Sequence, residues 1–251
     1  MPKSLVNIGY RPVLWNVMKY YAHWGVTDFI LCLGYRGEAI KQYFLEDDEC
    51  VSNDFVLTRS GRQVELLGRD IDRWRIAFVD TGVQASLGER LRAVESCLGD
   101  DTVFLANYTD VLSDLPLPQH LEHFQRQGAV ASFACVRPTQ TCHVVAVDDR
   151  EQVRDLRHVR DTGLWINGGY FILSRRIFDY LKEHEDLVEE PFRRLIEERQ
   201  LIAYRHEGFW ACLDTFKDKQ ILDAMVAGGQ TPWELWKGPG APAQPQSPPV
   251  P

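Results

Sequence analysis

Two aspartates stand at the ends of short apolar runs, where side-chain chemistry is expected. Arg75-Ile76-Ala77-Phe78-Val79 delivers Asp80-Thr81-Gly82, and the run from Thr102 to Ala106 ends in Asn107-Tyr108-Thr109-Asp110. Continuous apolar runs of this length predict strands buried on both faces. Ligands of α/β sheets bind outside the carboxyl ends of such strands, so both carboxylates sit where a ligand is expected. Taken singly, an aspartate before a loop also serves as a turn or cap residue. A third signal is the glycine pair inside Ile166-Asn167-Gly168-Gly169-Tyr170-Phe171-Ile172-Leu173. Two glycines within a strand mark a bulge or a close backbone approach. His120 and His123, three apart on a predicted helix, lack a third ligand at suitable spacing and read as a surface pair.

The elements that must hold these residues alternate. Pro12 to Trp24 predicts a helix, with Trp15, Met18 and Ala22 at helical spacing, and Phe29 to Leu33 predicts a buried strand. Gly37 to Phe44 reads as a helix, and Phe55–Arg59 and Val64–Leu67 as short strands. After the strand at Arg75–Val79, Leu87 to Leu98 carries one apolar helical stripe, and the strand ending in Ala106 follows. The second half predicts a helix from Pro118 to Gln127 and strands at Val130–Val136, Val144–Val147 and Val153–Leu156. Beyond the glycine-split strand come helices at Arg175–Lys182 and Glu189–Glu198, a strand at Leu201–Tyr204 and a helix at Lys217–Ala227. This order predicts an α/β fold, a Rossmann-like, mostly parallel sheet with helices on both faces. One domain over 1–237 is expected, followed by a Pro-rich tail over 238–251 that lacks the apolar content to pack.

The chain has 251 residues with 45% hydrophobic content, enough for one full core. Its 28 basic and 36 acidic residues leave a net charge of -8, which argues against nucleic acid or an anionic membrane as partner. No apolar run approaches the ~20 residues that span a bilayer, and no signal-peptide core follows Met1. Six scattered cysteines without a C-x-x-C pair fit reduced thiols, so a cytoplasmic location is expected.

The opening, Pro2-Lys3-Ser4-Leu5-Val6-Asn7-Ile8-Gly9-Tyr10-Arg11-Pro12-Val13-Leu14-Trp15, resembles the stretch K-P-M-V-E-I-G-G-K-P-I-L-W of the glucose-1-phosphate cytidylyltransferases, within the sugar-1-phosphate nucleotidyltransferases. Further blocks follow in the family's order. They are Gly34-Tyr35-Arg36-Gly37, Val79-Asp80-Thr81-Gly82, Tyr108-x-Asp110, Ile166-Asn167-Gly168-Gly169-Tyr170-Phe171, and Gly208-Phe209-Trp210-x3-Asp214-Thr215 with Asp218-Lys219. A P-W-x-x-W ending at Pro232, Trp233 and Trp236 closes the match. The resemblance implies transfer of a nucleotidyl group from a nucleoside triphosphate, CTP by the nearest likeness, to a sugar 1-phosphate such as glucose 1-phosphate. It implies Mg²⁺ between Asp110 and Asp214, and Lys3 as the catalytic phosphate-touching lysine. Asn167 and Gly168 would hold sugar hydroxyls, while Gly88, Arg90, Asp80, Thr81 and Tyr108 would lie near the nucleotide. A homo-oligomer is compatible with it.

The chain also departs from the family pattern. The G-G-x-G-T-R-L loop and its strand precede the lysine block in the family and are not among these residues. A missing N-terminal strand, open sheet edges and self-association are therefore expected, and a noncatalytic binding or assembly module is the alternative reading. Arg157-His158-Val159 stands where the family has E-K-P, which makes Arg157, His158 or Arg160 the candidate substitute cation for the sugar phosphate. Tyr108-Thr109-Asp110-Val111 replaces Y-G-D-G, and Glu89 replaces a glycine of the base-binding turn. Each adds a side chain where backbone would otherwise approach the ligand.

Overall fold

The computed structural model describes residues 1–46, 55–58, 63–66, 73–139 and 141–238. Arg59, Leu67, Cys50 and the tail from 239 on lie outside the described residues. The chain forms two compact units, Met1–Ala85 together with the segment from Asp214 onward, and Ser86–Leu213.

The first unit opens with a 3-10 turn, Lys3–Leu5, and two strand fragments paired antiparallel, β1 (Asn7–Ile8) and β2 (Arg11–Pro12). Pro12 caps α1 (Val13–His23). A proline at this boundary forfeits no helical bond, because the first N–H groups of a helix have no partner within it. Nearly every face of α1 is covered, and Leu14, Met18 and Tyr20 are buried. β3 (Asp28–Leu33) is followed by α2 (Gly37–Leu45) and the antiparallel hairpin of β4 (Phe55–Thr58) and β5 (Gln63–Leu66). β6 (Arg75–Asp80) then runs parallel to β3, in register from Asp28 opposite Arg75 to Leu33 opposite Asp80. Leu14, Met18, Leu33 and Ile40 form the core, with Phe29, Phe44, Trp74 and Phe78 against it. A Cβ on Gly37 would lie 2.9 Å from the Leu33 Cβ, so glycine lets α2 settle directly on β3. The Trp15 ring lies 6.0 Å from Trp236, and Trp233 is 1% exposed, so the C-terminal tryptophans pack this unit.

The second unit begins with α3 (Leu87–Val94), started by a capping box in which Ser86 and Glu89 each accept the other's backbone N–H. A 3-10 turn, Glu95–Leu98, takes over where one continuous helix was expected. β7 (Val103–Ala106), β8 (Val111–Ser113), α4 (Leu117–Gln127) and β9 (Ala131–Val136) follow. β10 (His143–Val147) and β11 (Val153–His158) form an exposed hairpin. β12 (Ile166–Asn167) and β13 (Phe171–Ser174) are the two halves of the glycine-split strand. The helix expected at Arg175–Lys182 is a single 3-10 stretch, Arg175–Asp179. α5 (Glu190–Glu197), β14 (Leu201–His206) and β15 (Trp210–Cys212) complete the unit, and α6 (Phe216–Ala227) belongs to the first unit again.

Five strands make the main sheet, in the order β12-β9-β13-β7 with β14 parallel to β9. β13 runs antiparallel between β9 and β7, so those two point the same way. Val130, Ala131, Phe171, Leu173, Ile177, Phe192 and Leu195 form its core. Among the described residues β3 pairs only with β6, and β7 only with β13, so each unit keeps an open strand edge. No described helix is long and apolar enough to cross a membrane.

His120 corrects the surface reading. It lies at helical spacing from Leu117 and Phe124 and is fully buried with them. Its Nε2 is 2.8 Å from the Ser132 hydroxyl, and its Nδ1 has no hydrogen-bond partner among the described residues. Burial, aided by the nearby His123 and His206, pushes its pKa down from 6.5 to about 4. A folded pKa below the unfolded one means that protons favour the unfolded chain. Stability is therefore full above pH ~6.5 and lost as the pH falls toward 4. H120Q, which keeps a polar partner for Ser132, should lose about 2 kcal/mol less than the parent between pH 7 and 4.5 in urea denaturation.

Candidate active site

The loops around Asp110 and the glycine pair leave the main sheet at one end. Phe171 pairs with Ala106, so the chain exits β7 at Asn107 beside the point where it enters β13 at Tyr170. Side chains lock the two loops together. The Asn107 Oδ1 accepts the Tyr170 N–H at 2.9 Å, and the Asn167 Oδ1 accepts the Gly169 N–H at 2.9 Å. The Asn167 amide donates to the Tyr108 hydroxyl at 3.4 Å, and the Trp210 indole N–H donates to the Gly168 carbonyl at 2.9 Å. A Cβ on Gly168 would stand 2.9 Å from Val136 and 3.1 Å from the Ala134 carbonyl. At Gly169, where φ is +77°, it would meet the Asn107 Oδ1 at 2.8 Å. The close approach inferred from the glycine pair is thus made by the protein's own backbone and side chains. Tyr108 packs edge-on against Phe171, and burial, with Asp186 and Asp110 nearby, pushes its phenol above the usual range, so it remains a neutral donor.

Asp110 begins a small antiparallel ladder that the apolar pattern did not predict. Val111, Leu112 and Ser113 pair with Cys212, Ala211 and Trp210, and the Leu213 N–H donates to the Asp110 carbonyl at 2.8 Å. A carboxylate oxygen of Asp110 and the Cys212 Sγ lie within 4.8 Å of each other. Asp214 is the next residue of the chain after Leu213. In the first unit its carboxylate holds the Lys3 ammonium at 2.5 Å, with the side chains 44% (Lys3) and 58% (Asp214) exposed. The N–H groups of Asp214 and Thr215 and the Thr215 hydroxyl all donate to Asp218, which caps α6 and fixes the turn that carries Asp214.

The remaining predicted residues have local roles. Thr81 donates its N–H and hydroxyl to the Leu33 carbonyl, both at 2.9 Å, and Asp80 accepts the Gly82 N–H. Asp80 also lines a shallow pocket with Gly34, Gly37, Glu38 and Lys41. Gly88 is buried with the Glu185 carbonyl where a Cβ would go, Arg90 lies one turn into α3, and Glu89 pairs with His184 at 3.0 Å. Arg157 is paired with Asp155 at 2.5 Å, and the His158 Nδ1 accepts the Arg160 N–H, so both serve the β10–β11 hairpin. Sequence reasoning missed Asn107 as the residue joining the two loops. Its place directly before Tyr108 was the available signal.

The backbone is similar to solved structures. UDP-glucose pyrophosphorylase complexed with UDP-glucose matches with a TM-score of 0.64 at 16% identity, over 91% of each chain. HddC from Yersinia pseudotuberculosis matches with a TM-score of 0.61 at 16% identity, over 90% of each. These likenesses define the fold. At the sequence level, 238 residues are 36% identical to a probable glucose-1-phosphate cytidylyltransferase of Bacillus subtilis, covering 94% of this chain and 92% of that protein. The glucose-1-phosphate cytidylyltransferase of Salmonella typhimurium is 33% identical over 239 residues, with the same coverage. No protein-family model matches the chain. The chain belongs to the glucose-1-phosphate cytidylyltransferase family of sugar-1-phosphate nucleotidyltransferases, and is an enzyme of that type.

Proposed function

We propose that the protein transfers the cytidylyl group of CTP to glucose 1-phosphate, giving CDP-glucose and pyrophosphate, with Mg²⁺ held by Asp110 and Asp214. The observation that carries this reading is the bond from the Leu213 N–H to the Asp110 carbonyl, which fastens Asp110 to the residue preceding Asp214. Consecutive Cα atoms are about 3.8 Å apart, so Asp214 follows this bond by a single residue step. Their donor set is hard oxygen and fits Mg²⁺. When bound, the ion would neutralise charge as two polyanions meet.

A phosphate oxygen of the sugar phosphate attacks the α-phosphorus of the triphosphate. The bond from that phosphorus to the oxygen bridging the α- and β-phosphates breaks, and pyrophosphate leaves with the electron pair. Lys3 supplies a point charge near these phosphates. Its pair with Asp214 is well exposed on both sides, so an incoming polyanion competes for the ammonium. Asn167 and Tyr108 offer an amide and a neutral hydroxyl to sugar or ribose hydroxyls. The names of the relatives support cytosine and glucose as the preferred groups.

Pyrophosphate release from each nucleoside triphosphate with glucose 1-phosphate or mannose 1-phosphate, with MgCl₂ or EDTA, tests the reading. CTP with glucose 1-phosphate and magnesium should give the highest kcat/KM, and EDTA should abolish it. Absence of pyrophosphate with every pair would leave a noncatalytic binding protein. A different preferred pair would replace the specificity alone.

A further inference from the structure

The ladder of β8 and β15 is only three residue pairs long and lies apart from the main sheet. A two-stranded ladder of that size is marginal without help. Its near end carries Asp110, and Leu213 with Asp214 following. Its far end is closed by a group of residues that the proposed chemistry does not use. The His206 Nε2 is 2.8 Å from the Asp114 Oδ1 and 3.2 Å from the Phe209 carbonyl. Both partners are acceptors, so Nε2 carries the proton and donates. The Phe209 carbonyl also accepts the Asp114 N–H at 3.2 Å and the Ser113 hydroxyl at 2.8 Å. His206 is 7% exposed and is the last residue of β14, paired with Val136 of β9. It therefore ties the ladder to the main sheet. Gly208 completes the closure, since a Cβ there would lie 2.4 Å from the Asp114 Oδ1 and 2.6 Å from the His206 ring.

We propose that His206 and Asp114 are positioning residues, which hold β8 and β15 in register and thereby fix the place of Asp110 at the opposite end of the ladder. They act over about 10 Å, three residue pairs at strand spacing, and do not touch substrate. The proposal rests on the reading of Asp110 and Asp214 as the metal-holding carboxylates. Without the His206–Asp114 bond the strands can slip or splay, and a displaced Asp110 carboxylate loses divalent-ion affinity before the unit loses its fold.

Mn²⁺ binding to the full chain, followed by electron paramagnetic resonance of the free ion, tests this without turnover. H206A and D114A should each weaken Mn²⁺ by about tenfold or more, as loss of supporting partners commonly does. The double variant should be no weaker than either single one, because both remove the same bond. H206Q, whose amide can donate to Asp114, should recover most of the affinity. Should H206A fail to fold, D114A, at the more exposed of the two side chains, carries the same comparison. Unchanged Mn²⁺ affinity in D114A, with affinity lost in D110N, overturns the positioning role. Unchanged affinity in D110N as well removes the metal reading itself, and this proposal with it.

Discussion

D110N and D214N should each lower turnover by about a thousandfold or more, while each protein stays folded with a nearly unchanged melting temperature. The replacement keeps size and removes charge, so it tests electrostatics more than packing. Transition-state charge held by preorganised groups is worth about 10²–10³ in rate for a single donor, and on the proposed reading each replacement removes half of the protein charge that would hold magnesium, which forfeits more than one such interaction. Stability should barely move, because the Lys3–Asp214 pair is exposed and such pairs contribute about 0–1 kcal/mol. Steady-state kinetics across a magnesium titration, with circular dichroism melts, reads both quantities. Partial recovery at high magnesium would mark loss of ion affinity as the cause. Full activity in either variant would end the assignment of these carboxylates.

K3Q should cut kcat/KM by about a hundredfold, less than the aspartate changes, because the proposed metal site would remain. K3R should recover only part of this. An ammonium is a compact point charge with rotatable donors, whereas a guanidinium is a wide planar fork that does not fit where an ammonium meets a single oxygen. The sign for stability is again near zero. Kinetics on both variants with the preferred substrate pair checks the order K3Q, then K3R, then parent.

Long elements were legible because burial imprints a period on the residues. α1, β3, β6, α4, β9 and α6 fall within two residues of the positions expected from apolar spacing. His120 could have been read correctly by the same rule, since Leu117, His120 and Phe124 share a helix face; residue type misled where spacing was right. β8 and β15 were not legible, since three residues carry no period. These strands exist because Cys212 meets Val111 and because Ser113, Asp114 and His206 converge on the Phe209 carbonyl. Cys212 looked like one of several scattered thiols, and only this pairing brings it near Asp110.

Sequence alone established the α/β class, the family and the identity of the candidate carboxylates, because each depends on residue type and on order along the chain. Tertiary structure decided that the glycine pair is filled by Asn107, Val136 and the Ala134 carbonyl, that Asp218 shapes the turn at Asp214, and that His206 reaches Asp114 across 92 residues. Such pairings are made by contacts whose partners lie far apart in the chain, and no local period or propensity records which distant residue will arrive.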